Sequence, residues 1–266
     1  MPLIFLFVFL YDPANNMSYP LRFFQPGYVW HLTMRCHDRD LLLDSAWYRK
    51  LLVDTLFEAQ ERYGVPVLNF TVTSNHIHIL VLCPEDKSAI PCMMRLLGSK
   101  VGATYNKKAG RQGAFWQKRY HATAVETGEH LVRCFLYIDL NMVRAGVVSH
   151  PKAWRHCGYH EIVKPKQRYK LVNFPELMRL MDMPDDPKFS NHYAHWINAA
   201  IKRGHLSRET VWTKDVAVGK KSFVEKIRKK LGFTSKLSDN SPAIHEDLAG
   251  YGEHIPESGL EWDISF

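Results

Sequence analysis

The chain has 266 residues, of which 46% are hydrophobic and 23% charged, with seven Trp within a 12% aromatic share. That composition excludes a fibre, a low-complexity tail and disorder throughout; the length allows one large domain, or a compact domain with an appended region. Lys and Arg outnumber Asp and Glu by 35 to 27, a formal net charge of +8, so a polyanion is an expected partner. The excess is segmental. Lys87 to His121 holds eight Lys/Arg and no acid, Lys202 to Lys236 holds eleven against three acids, and Leu237 to Phe266 holds seven acids and no Lys or Arg. The second basic segment is equally readable as a solvated face.

Leu3 to Tyr11 is almost unbroken apolar sequence, too short to cross a bilayer and without the basic flank and small-residue cleavage pattern of a secretion signal. No membrane association is expected. Met17 opens a basic segment, Met-Ser-Tyr-Pro-Leu-Arg, and is the expected initiator. The five cysteines are odd in number and nowhere spaced C-x-x-C, which argues against a disulfide framework and a thiolate zinc site and fits a reducing cytoplasm.

After the Pro26-Gly27 turn, Tyr28 to Cys36 reads as a strand from its aromatic and β-branched residues. Ser45 is placed to cap a helix running to Tyr63, with Gly64 as its stop. Val65 to Thr73 and His76 to Leu82 predict a hairpin about Ser74-Asn75. A second helix is predicted from Ser88 to about Lys107, and a basic, glycine-containing loop follows it. Tyr120 to Val125 is a fourth strand; Thr127 is the expected cap of a helix from Gly128 to about Arg144. The order β-α-β-β-α-β plus a helix predicts an α+β fold of the ferredoxin-like (RRM-like) split βαβ type, with an antiparallel sheet. From Phe174 to Leu231 the pattern gives short helices, one opened by a Ser222/Glu225 capping box. The expected divisions are 1–18 as an N-terminal extension, 19–162 as the main domain, 163–236 as a basic helical extension and 237–266 as an acidic tail.

Two features carry chemistry. On a strand, His76 and His78 share one face about 7 Å apart along the backbone, a spacing at which two imidazoles can grip one metal. Alone, His-x-His on a strand is more often ordinary packing. On the helix after Thr127, Leu131, Phe135, Ile138 and Met142 form the stripe that must face the sheet, and His130, Arg133, Tyr137, Asn141 and Arg144 form a polar stripe beside it. Tyr137 and Asn141, four residues apart, are expected to project from one helix edge. Tyr105, Phe115 and Trp116 lie among Lys100, Lys107, Lys108, Arg111, Lys118 and Arg119, the interleaving of rings and cations that single-stranded nucleic acid favours, although Phe115 and Trp116 could equally be core.

Three segments, Ser74-Asn75-His76-Ile77-His78-Ile79-Leu80, Trp116-Gln117-Lys118-Arg119-Tyr120-His121 and the run from Leu136 to Gly146, resemble the HUH-type single-tyrosine transposases, in their REP-associated branch. The resemblance spans about 19–159. It departs from the family pattern at Met142, where Pro is usual, and at Cys157-Gly158, where serines are usual. It implies that His76, His78 and Asn141 bind Mg²⁺ or Mn²⁺ and that Tyr137 is the nucleophile. The implied substrate is single-stranded or hairpin DNA, which Arg133, Arg144 and the six cations above would contact. The implied reaction is transposition through a 5′-phosphotyrosine intermediate, by a monomer or by a homodimer that exchanges the Tyr137 helix. Two competing readings are a non-cleaving binder of structured DNA or RNA, and a metallohydrolase in which the histidines activate water.

Mass spectrometry of the natively expressed protein is expected to find no peptide containing Leu3 to Tyr11; finding one would overturn the Met17 start.

Overall fold

The computed structural model describes residues 24–183, 187–204 and 206–231. The Leu3–Tyr11 run, Met17 and the acidic tail lie outside them. Five strands form one sheet: β1 (Val29–Arg35), β2 (Val67–Val72), β3 (His76–Leu82), β4 (His121–Val125) and β5 (Ala217–Val218). Their order is β2-β3-β1-β4-β5. The first four pair antiparallel, in the split βαβ arrangement expected, and β5 joins β4 in parallel to make the sheet mixed. No periodicity announced β5, because two residues are too few to show one; the open edge of β4 recruits them.

Strand alternation gives the sheet two different faces. Trp30, Leu32 and Met34 of β1 pair with Val81, Ile79 and Ile77 of β3, so one face is apolar. Helices α1 (Ala46–Tyr63) and α2 (Ala89–Ala109) pack together, and their buried Leu52, Leu56, Met93 and Leu97 join those strand residues in one core. Ser45 accepts a hydrogen bond from the Trp47 amide, and Gly64 ends α1 at φ +61°, as the sequence indicated.

The other face carries His31, Thr33, Asn69, Thr71, His78 and Thr123, and all but Thr33 are buried. It is covered by α3 (Glu129–Asp139), whose Phe135 carbonyl accepts from Asn69 Nδ2 at 3.5 Å. The predicted continuous helix is broken at Leu140 (ψ 1°), and a single turn, α4 (Asn141–Arg144), follows. Thr127 does not cap α3. The chain enters through Gly128 at φ +77°, ψ −136°, a conformation that glycine alone adopts readily. Gly158 has a packing reason: a Cβ there would lie 2.1 Å from Asn69 Oδ1.

The later helices are α5 (Tyr159–Val163), α6 (Phe174–Leu180), α7 (Phe189–Lys202), α8 (Val211–Lys214) and α9 (Lys221–Lys230). The Ser222/Glu225 capping box does not form. The helix starts at Lys221, so Ser222 sits inside the first turn, and Glu126 of the sheet domain receives the Lys220 amide instead. Among the described residues no helix is long and apolar enough to cross a membrane.

Asp139 at the end of α3 is fully buried and accepts a 2.5 Å hydrogen bond from Tyr193 Oη on α7. Burial pushes its carboxyl up to about 7. Because the unfolded group ionises near 4, the folded state binds the extra proton between about pH 4 and 7, and stability from this group falls as pH rises through that window. Asp139→Asn is therefore expected to flatten the pH dependence of the urea midpoint between those values; a slope unchanged from wild type would contradict the assignment.

Candidate catalytic site

His31, His76 and His78 come together at the polar face. His78 lies opposite Thr33 on β1, and the ring of His31, across from Leu80, reaches it with ring centres 5.0 Å apart. His31 Nε2 is 2.9 Å from His78 Nδ1, and the two ring planes are parallel to within 7°. On its far side, His31 Nδ1 is 2.9 Å from the Trp212 carbonyl. His76 Nδ1 lies 2.7 Å from Asn75 Oδ1 and 2.9 Å from Thr73 Oγ1, and Asn75 Nδ2 donates to the Arg39 carbonyl at 2.8 Å. The His76 and His78 ring centres are 5.0 Å apart. Asn141 Nδ2 is 3.1 Å from His78 Nε2, so the amide four residues after Tyr137 reaches the pair.

Tyr137 meets the histidines of its own chain, its ring centre 5.6 Å from His78 and 6.2 Å from His31. It projects from the same helix edge as Asn141, as expected, but only 5% of it is exposed. The cause is the C-terminal extension. Trp212 packs 6.0 Å from the phenol ring, and Ser207 and Glu209 line the pocket beside Tyr137, Arg133, Leu140 and Arg144. The Arg144 guanidinium lies over the ring at 4.1 Å and donates to the Tyr137 carbonyl at 2.6 Å. Arg133 is likewise buried rather than facing outward, held by Glu209 at 2.9 Å. It therefore offers no surface to DNA in this arrangement.

The other predicted DNA contacts lie apart from the histidines or at their border. Lys100 pairs with Glu58, Lys108 sits 3.5 Å over the Trp47 ring, and Arg111 donates to the Ala114 carbonyl. Lys107, Lys118 and Arg119 are exposed. The loop carrying Lys118 and Arg119 borders the site, because Trp116 bridges to Cys36 and the Gln117 amide donates to the Arg35 carbonyl. The rings of this segment pack inward. Phe115 is core, Trp116 donates to the Gly98 carbonyl, and Tyr105 packs between Tyr48 and Phe115, so the stacking surface expected there is not formed.

Burial holds all three imidazoles neutral: His31 and His76 are lowered to about 3 and His78 is well below its ordinary value. Arg35, Arg208 and Arg144 reinforce this at His76. Burial raises the Tyr137 phenol, an effect opposed in part by Arg144 and Arg208. Sequence reasoning missed His31, Arg35, Arg208 and Trp212. The first two carried a signal: in Val29–Arg35 the polar residues His31, Thr33 and Arg35 alternate with Trp30, Leu32 and Met34, marking a polar strand face. No group of three or more His, Cys, Asp or Glu that could hold a metal occurs among the described residues. Two neutral imidazoles held at Nδ1, with the Asn141 amide as third donor, nevertheless fit a divalent cation, since ligating histidines are typically anchored through the other ring nitrogen.

Residues 25–140 match the family model described as "Transposase IS200 like". Among solved structures, a REP-associated tyrosine transposase bound to a REP hairpin is 20% identical, with 56% of this chain and 87% of that chain covered and a TM-score of 0.49. A chain from Deinococcus radiodurans R1, named as a transposase candidate, is 15% identical, with coverage of 52% and 98% and a TM-score of 0.33. No curated protein matches significantly.

Desolvation of Tyr137 predicts a phenol that ionises above its ordinary value near 10. The ultraviolet difference titration between wild type and Tyr137→Phe is expected to show one phenolate appearing above that pH; ionisation below it would contradict the buried placement.

Proposed function

We propose that the protein, whose residues 25–140 match a family model described as "Transposase IS200 like", is a metal-dependent transposase. In this reading it cuts and rejoins single-stranded DNA at or near hairpin ends, with Tyr137 as nucleophile. The observation that supports it is the placement of the Tyr137 ring 5.6 Å from His78 of the same chain, with His76 adjoining. One chain then supplies nucleophile and ligands without exchange of the helix.

Tyr137 Oη would attack the scissile phosphorus, forming an O–P bond as the bond to the 3′ oxygen breaks. The phenolic proton leaves, and a 3′-OH departs from a 5′-phosphotyrosine. Attack by a 3′-OH reverses the step, so strands are rejoined without a nucleotide cofactor. A Mg²⁺ or Mn²⁺ ion held by His76, His78 and Asn141 would polarise and orient the phosphate. Arg35, Arg144 and Arg208 supply positive charge where the phosphate's negative charge would sit, and Lys118 and Arg119 would follow the strand away from it. With Tyr137 only 5% exposed, the segment from Ser207 to Trp212 must shift before a phosphodiester enters. The cysteines, all free, suit a cytoplasmic setting.

That burial favours one second reading, a non-cleaving binder of structured DNA or RNA.

Incubation with hairpin-bearing single-stranded oligonucleotides and Mg²⁺ or Mn²⁺ is expected to give a covalent protein–DNA adduct on a denaturing gel, lost on chelation and in Tyr137→Phe. Equal adduct in that variant would remove Tyr137 as nucleophile. Salt-dependent binding with no adduct in any metal would select the binder.

A further inference from the structure

Two chains of hydrogen bonds end on the histidine pair, and both begin at backbone carbonyls. A carbonyl oxygen only accepts, so the Trp212 carbonyl, 2.9 Å from His31 Nδ1, places a proton on that nitrogen. Asn141 Nδ2, an amide nitrogen that only donates, faces His78 Nε2 at 3.1 Å, so His78 carries its proton on Nδ1 and the His31 Nε2 opposite it offers a lone pair. His78 Nδ1 donates to that lone pair at 2.9 Å. The ring planes are parallel to within 7° with their centres 5.0 Å apart, an arrangement compatible with that bond.

The second chain follows the same rule. Asn75 Nδ2 donates to the Arg39 carbonyl at 2.8 Å, which fixes which way the amide points. Its Oδ1 therefore faces His76 Nδ1 at 2.7 Å and can only accept. His76 carries its proton on Nδ1, and its lone pair is on Nε2.

Resting on the proposed role of His76 and His78 as metal ligands, we infer that His31 and Asn75 are positioning residues. Each holds one of the two histidines in the Nδ1–H tautomer and presents its Nε2 lone pair to the cation. The Arg39 carbonyl lies in the loop after β1 and the Trp212 carbonyl in the C-terminal extension, so the extension sets the state of a ligand, His78, through His31.

Imidazole ¹⁵N NMR of the metal-free, histidine-labelled full chain tests this without any substitution in the protein observed. Signals are assigned by comparison with His31→Ala, His76→Ala and His78→Ala. The Nδ1–H form is expected at all three positions, and an Nε2–H form at His76 or His78 overturns the inference. Mn²⁺ affinity by calorimetry is expected to fall about 10–100-fold in His31→Ala and in Asn75→Ala. It should recover in His31→Gln and Asn75→Asp, whose side-chain oxygens can accept the same protons. Wild-type affinity in both alanine variants also overturns it. Loss of this inference leaves the Tyr137 adduct untouched, whereas these tautomers and affinities in a protein that forms no adduct would remove the transposase reading alone.

Discussion

A buried sheet face that is polar must find hydrogen-bond partners, and that requirement organises this molecule. His31, Asn69, His78 and Thr123 lie out of water, where an unpaired polar group costs on the order of 1–3 kcal/mol. Asn69 binds the Phe70 amide and the Phe135 carbonyl, while Thr123 donates to the Asp215 carbonyl at 2.7 Å. His121 and His31 find the Asp215 and Trp212 carbonyls. The helix carrying Tyr137 and the segment around α8 are thus fixed by one face, and they meet over the histidines because that is where the face is most polar.

The opposite face has no such obligations. Alternating Trp30, Leu32 and Met34 against Ile77, Ile79 and Val81, under two long helices, gives the apolar burial that stabilises the domain. This division lets the chemical face carry buried ionisable groups. Arg133 with Glu209 and Asp139 with Tyr193 tie the Tyr137 helix to the extension at two heights. Both ties place polar partners where hydrocarbon would pack more simply, a choice that fixes orientation more than it adds stability.

Around the phenol the electrostatics lean one way. Three arginines act on neutral imidazoles, and the nearby Glu209 is itself paired with Arg133. Neutral imidazoles edged by guanidinium groups give the positive potential that the phosphodiester and developing phenolate of the proposed reaction would require. The segment from Ser207 to Trp212, which brings Arg208 to this environment, also encloses Tyr137 and so governs access to it.

Spacing and backbone preference alone carry the order of the first four strands and their two helices, the Ser45 cap and Gly64 stop, the hairpin that puts His76 and His78 on one face, and the i, i+4 pairing of Tyr137 with Asn141. Each is a local property. That His31 lies beside His78 emerges only on folding, because strand register across 47 residues has no local signal. Folding likewise sets the inward turn of Phe115 and the burial of Arg133 and Tyr137. A polar helix stripe reads as solvent-facing until a distant segment is known to cover it, and the covering residues Glu209 and Trp212 lie about seventy positions further along the chain. Their docking depends on carbonyls and indole contacts that belong to the folded chain and to no periodicity in its sequence.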